Sequence, residues 1–294
     1  GIEFQAQHCT HHGAPITASV VRAMLPLMQG SSAVGRRIRE WPGLPLEDAM
    51  PLRFAGGLHY LSLTGAEGRL APLYAGSVQY QPAVNEIVAA VVADHDAALL
   101  PWFDGPPQTN EAGRSASLMA GLLWLASRVG PRFEISEVGA SAGINTMMER
   151  YHYNLGGTLA GPPTSPMRIR PERLARMDAA IALASERRPD VVAADAADWV
   201  AARLARPQPA GFTRVIQHSI VWQYLGDVRR AAITAMIEAA GAQATAERPL
   251  AWQMLETNRA TFLHELTVRH WPGDGAPRVL GHAHAHGAWV EWLG

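Results

Sequence analysis

Glu137-Val138-Gly139-Ala140-Ser141-Ala142-Gly143-Ile144-Asn145 is the stretch on which the fold turns. The apolar run from Phe133 to Val138 predicts a strand, and the residues from Ile144 to Tyr151 predict a helix. A Gly-rich turn between them brings several backbone N–H groups and the positive end of a helix dipole to one point, and its glycines let a ligand approach the main chain. Beyond the turn, further short apolar runs are predicted as strands at 191–194, 213–218, 250–255, 265–270 and 278–282. Helices are expected at 171–185 and at 225–240, the latter with Val228, Ile233, Met236 and Ile237 facing inward. Strand and helix in alternation predict an α/β fold with a mostly parallel sheet. The last two strands, separated only by Trp271-Pro272-Gly273-Asp274-Gly275, should close the sheet as an antiparallel pair. On the amino-terminal side, residues 1–105 carry helical periodicity, as in Val84, Ile87, Val88, Val91 and Val92, and no convincing strand. Gly105-Pro106-Pro107 marks the expected boundary between a helical region, 1–107, covering the site, and an α/β domain, 108–294. Thr109 or Asn110 is placed to cap a helix running to Val129.

Composition removes several classes of function. All 25 basic residues are Arg, because the chain has no Lys. Schiff-base chemistry, pyridoxal phosphate, a P-loop and protein-kinase chemistry each need that amine and are excluded. A formal net charge of -1, with acids and bases interspersed, offers no basic stripe for nucleic acid. No apolar run reaches the length of a membrane span, so no membrane partner is expected. The single Cys9 forms no internal disulfide, and with no signal-peptide pattern the expected location is cytoplasmic.

An acid, one residue and a Gly-rich turn resemble the first motif of methyltransferases that use S-adenosylmethionine. In that reading the sheet domain is Rossmann-like, and Glu137, Gly139, Ser141, Gly143 and Asn145 line the donor. Val191-Val192-Ala193-Ala194-Asp195 reads as a buried strand ending in an acid, which places Asp195 where adenine is accepted; alternatively Asp195 or Asp198 caps the next helix. The run Gln217-His218-Ser219-Ile220-Val221-Trp222-Gln223-Tyr224 ends a strand in polar groups at the edge where open α/β sheets bind ligands, so His218 and Tyr224 are the candidate catalytic residues.

The same loop also spells Gly-x-Ser-x-Gly, the nucleophile elbow of α/β-hydrolases, with Asp274 and His282, His284 or His286 as later acid and base. Against this, an elbow needs several strands before it, and the preceding residues read as helical. His282, His284 and His286 fall on one face of a strand, with His8, Cys9, His11 and His12 near the other terminus, yet no familiar metal-ligand spacing accompanies them and no metal is expected.

Several strings together resemble an uncharacterised bacterial family, domain of unknown function 2332: Leu52 to Leu61, Gln108-Thr109-Asn110-Glu111-Ala112-Gly113-Arg114-Ser115, Glu137 to Asn145, Arg150-Tyr151-His152-Tyr153, His218 to Tyr224, and His286-Gly287 with Trp289-Val290-Glu291-Trp292. The resemblance implies a methyltransferase-like Rossmann domain behind a helical region. Members usually carry a second strand with an acid for ribose hydroxyls after the stretch resembling Gly161-Pro162-Pro163; here Arg168-Ile169-Arg170 runs directly into Pro171-Glu172-Arg173. In the family string at the helix start, Asn110, Glu111 and Arg114 are expected to bind substrate, the charged pair fixing an acceptor's charged group. The expected protein is a class I methyltransferase using S-adenosylmethionine on a small molecule. Its alternatives are a non-catalytic nucleotide-binding or interaction module on the same fold, and a serine hydrolase using Ser141.

Overall fold

The structure, a computed structural model, describes residues 1–11, 13–105, 111–165, 167, 169, 173–261, 263–285 and 287–294, with residues 173–178 described as backbone only. The chain divides into two compact units, residues 1–108 and 109–294. In the first unit the described residues form helices α1 (Ile2–His11), α2 (Pro15–Arg22), α3 (Met24–Leu27), α4 (Ala33–Arg39), α5 (Met50–Leu63), α6 (Ala71–Tyr74) and α7 (Gln81–Leu99), with short 3-10 turns. Its core gathers Val20, Val21, Met24, Phe54, Leu58, Val84, Val88 and Val91. Helix α4 is capped by its own Ser32, whose Oγ accepts from Gly35 N, and by Asp96 of α7, whose carboxylate accepts from Ala33 N and Val34 N. Three of the donors that a helix start leaves open are satisfied in this way.

In the second unit, a 3-10 turn (Ala112–Arg114) leads into α8 (Ser115–Val129), followed by β1 (Phe133–Val138), a 3-10 helix (Ile144–Arg150), the hairpin β2 (Tyr153–Leu155) and β3 (Thr158–Ala160), α9 (Arg173–Glu186) and α10 (Ala196–Ala205). Then come β4 (Thr213–Ser219), a 3-10 turn (Trp222–Tyr224), α11 (Asp227–Ala242), β5 (Leu250–Thr257), β6 (His264–Trp271), β7 (Arg278–Ala283) and β8 (Val290–Trp292). The main sheet has the order β1-β4-β5-β6-β7-β8. Strands β1, β4 and β5 pair in parallel, and β5 to β8 pair antiparallel in succession. The unit is therefore α/β with a mixed sheet, and four of its six strands share one direction.

Alternation along the strands divides the core. One face sets Val215, Ala251, Leu255, Leu266 and Val268 against Leu118, Leu122 and Leu125 of α8. The other sets Ile216, Leu250 and Trp252 against Val200 of α10 and Ile233 and Ile237 of α11. Each of those buried leucines contributes roughly 1.5–3 kcal/mol.

The expected strands at 133–138, 213–218, 250–255, 265–270 and 278–282 are present within a few residues, and the antiparallel partnership of the last two holds. Three expectations are corrected. Residues 191–194 form no strand: Val191 and Val192 are exposed, because among the described residues no strand lies along the outer edge of β1 to pair with them. The helix after the glycine loop is a 3-10 helix, with Met147 outside helical geometry. Ile233 and Ile237 of α11 face inward as expected, but Val228, in the first turn of the helix, is exposed. The β2–β3 hairpin and β8 are additions that the sequence patterns did not signal. The junction between Arg170 and Pro171 lies outside the described residues.

Candidate functional site

Parallel pairing places the ends of β1, β4 and β5 at one edge of the sheet. Val138 faces His218 in register, and Ser219 faces Leu255. At this edge Glu137, His218 and Glu256 come from three successive strands, and Arg114 joins them from the turn before α8. Arg114 is buried; its Nε donates to Ala285 O at 2.7 Å and its Nη1 reaches Ser219 O at 3.5 Å. The segment carrying Ala285 lies hard against that turn: Gly287, at φ +68°, touches Gly113 so closely that a Cβ would overlap the backbone.

Three carboxylates lie within electrostatic range of the Arg114 guanidinium. Burial lowers the Arg114 pKa, and the charges of Glu111, Glu256 and Glu137 oppose that loss. Glu137 is affected most. Burial pushes its carboxyl up to about 7, against the pull of the Asn145 amide, the Arg114 charge and the Gln217 amide. Its Oε2 is shielded from solvent and has no hydrogen-bond partner among the described residues. On the same face, Glu137, Gln217 and Gln253 are register neighbours across three strands. Gln253 Nε2 donates to Leu118 O of α8 at 3.1 Å, while Gln217 Nε2, Gln253 Oε1 and Asn145 Oδ1 are likewise without partners among the described residues. Buried polar atoms are rarely left unpaired, so a row of them distinguishes this edge as a candidate site.

The opposite face of the same edge is aromatic. His218 is 1% exposed, stacks on Trp222 at 4.5 Å and 11°, and lies 5.9 Å from the ring of Trp252. Its Nδ1 is 2.7 Å from Glu256 Oε1, which also accepts from Val221 N and Trp222 N.

The remaining candidates are placed as follows. The loop is a turn closed by Gly143 N donating to Ala140 O, with Gly139, Ser141 and Gly143 all at positive φ. The space a Cβ would need at Gly139 is filled by Val221, and at Gly143 by Pro189 and Val191, so these two glycines admit protein side chains as well as bending the chain. Asn145 is buried beside Glu137. Asp195 caps α10, its Oδ1 accepting from Ala197 N, and its Oδ2 pairs with Arg229 Nε at 2.9 Å; those cap bonds hold its pKa below the usual value. Tyr224 is exposed, within electrostatic range of Arg114. Glu111 is buried and accepts from Gly113 N. Asn110 lies outside the described residues.

The acid proposed for a Ser141 hydrolase is misplaced. Asp274 sits in the β6–β7 turn, at the amino end of the parallel strands, paired with Arg278, because the antiparallel course of β6 carries the chain away from the glycine loop. His282 pairs with Glu291, and His284, just past the end of β7, packs edge-on to Trp289; His286 lies outside the described residues. Among the described residues no group of three or more His, Cys, Asp or Glu side chains is arranged to hold a metal ion, and no helix is long and apolar enough to cross a membrane. Glu256 was missed by the sequence reading. Its signal was its position, one residue past the apolar run 250–255, as Glu137 stands near the end of its own strand.

No curated protein and no solved structure matches this chain. A family described as an uncharacterized protein conserved in bacteria, DUF2332, matches residues 2–172 and 170–292, two stretches that meet where Arg168-Ile169-Arg170 runs into Pro171, and the chain belongs to that family.

Proposed function

We propose that the second unit is a Rossmann-like, S-adenosylmethionine-dependent methyltransferase acting on a small molecule in the cytoplasm. The observation that carries this reading is the half-buried Glu137 carboxylate, whose Oε2 is shielded and lacks a partner among the described residues, at the end of β1 beside the glycine loop and within electrostatic range of Arg114. An α-amino acid end carries the two charges that this pair of residues can hold: Glu137, with Asn145 beside it, receives the ammonium, and Arg114 receives the carboxylate. The residues present therefore fit the aminoacyl end of the donor. The adenosine end has less support, since Asp195 is engaged as a helix cap and no strand borders the outer edge of β1 among the described residues.

When bound, the donor supplies an electrophilic methyl group. The chain's own part is to hold that end rigidly, orient it toward the acceptor and keep water away, which is most of what such a transfer needs. The net charge of -1 argues for a small-molecule acceptor rather than nucleic acid.

Calorimetric titration of the full chain with S-adenosylmethionine and S-adenosylhomocysteine tests the reading. Binding of both is expected, weakened at least about tenfold by Glu137→Ala, equivalent to about 1.4 kcal/mol. If neither ligand binds, the reading fails. Labelling of Ser141 by a fluorophosphonate would replace it with acyl transfer.

A further inference from the structure

We infer that Glu256 is a positioning residue that sets His218 as the base for an acceptor that loses an O–H or N–H proton as it is methylated. The inference rests on the methyltransferase reading, but its geometry stands alone. Glu256 Oε1 takes three contacts: His218 Nδ1 at 2.7 Å, Val221 N at 3.1 Å and Trp222 N at 3.2 Å. Two of the three are main-chain amides, which only donate. The oxygen is therefore an acceptor, and the imidazole nitrogen facing it must bring a proton. This fixes the tautomer: Nδ1 carries the hydrogen, and in the neutral ring Nε2 carries the lone pair.

Nε2 is shielded from solvent and has no partner among the described residues. A basic nitrogen aimed away from its carboxylate, desolvated and unpartnered, is arranged as a general base. Its strand end adjoins the glycine loop. His218 is the register neighbour of Val138, and Val221, held by the same Glu256 oxygen, packs on Gly139. Access to Nε2 requires movement of the rings packed on it, and Trp222 is carried on a three-residue turn whose other two members, Gln223 and Tyr224, are exposed.

The step balances without another reactant. The acceptor's lone pair forms a bond to the methyl carbon as the carbon–sulfur bond breaks and its electron pair stays on sulfur. The acceptor's proton passes to His218 Nε2, and the positive charge lost from the sulfonium reappears on an imidazolium paired with Glu256.

Long-range 1H–15N correlation spectra of the labelled full chain, with His218 assigned by its loss in His218→Gln, test the pair directly. The wild type is expected to show the Nδ1–H form. Glu256→Gln, whose amide oxygen still accepts, should retain it, whereas Glu256→Ala should show a mixture. With S-adenosylhomocysteine present, phenol, catechol or aniline should move the Nε2 resonance toward its hydrogen-bonded position, and toluene should not; a structural histidine would be silent to all four. An Nε2–H wild type, or silence toward all three donor probes, overturns the inference. Failure of S-adenosylmethionine to bind would instead overturn the methyltransferase reading and leave the tautomer result standing.

Discussion

Strands β1 and β4 carry buried charge at both ends, and the two ends are built differently. At the amino end Glu134 and Arg214 are register partners. Arg214, 3% exposed, donates from Nε to Glu134, from Nη1 to the carbonyls of Leu204 and Arg206, and from Nη2 to that of Pro207. Arg203 completes the group with bonds to Glu134 and Ser136. At the carboxyl end Glu137, Gln217 and His218 each retain a buried polar atom with no partner among the described residues. A satisfied buried network fixes a fold, while an unsatisfied one is held in place by the rest of the fold and is poised for something else. That contrast, more than any single residue, underlies the proposed site.

Removing Arg214 should have the largest effect. Arg214→Met leaves Glu134 and several carbonyls without their donor, and a loss of about 3–5 kcal/mol is expected in urea unfolding, as for other broken buried pairs. A loss below about 1 kcal/mol would show that the amino end is not the anchor described here.

Glu137→Gln tests the other end and should act through pH. The Glu137 carboxyl is raised to about 7 in the folded chain, so the folded state holds its proton over a range in which the unfolded state has released it. Wild-type stability should therefore fall as pH rises from about 4.5 to 7, by an amount on the order of 3 kcal/mol. Glu137→Gln should flatten that slope while weakening the donor. Unfolding midpoints of both proteins at pH 5 and pH 8 measure the difference, and equal slopes would remove Glu137 as an unpaired buried acid.

Asp195→Ala should have the smallest effect, a slight lowering of the unfolding midpoint from a lost helix cap. Donor affinity should be unchanged by calorimetry. A large loss of affinity would return Asp195 to the site and extend it toward an adenine.

Five of the six strands of the sheet were legible in the sequence because each is an apolar run closed by turn residues, a local signal. So was the loop at 139–143, since its glycines report the backbone directly. Reading Asp195 as a cap was weighed from the sequence against an adenine contact, and the structure shows the cap. The run 191–194 misled because its composition is that of a buried strand, and composition does not say whether a neighbour exists to pair with it.

What the sequence by itself determined is the local order: which residues extend, which turn, and that an acid and a glycine loop adjoin one strand end. Only the tertiary structure decided that Arg114, Glu137, His218 and Glu256 share one edge. It also decided that Asp274 lies at the other edge, and that His218 Nδ1 faces Glu256 Oε1. Those outcomes depend on strand order and direction, which arise from contacts between distant residues, such as Arg114 and Ala285, 171 positions apart, and leave no trace in the spacing of neighbours.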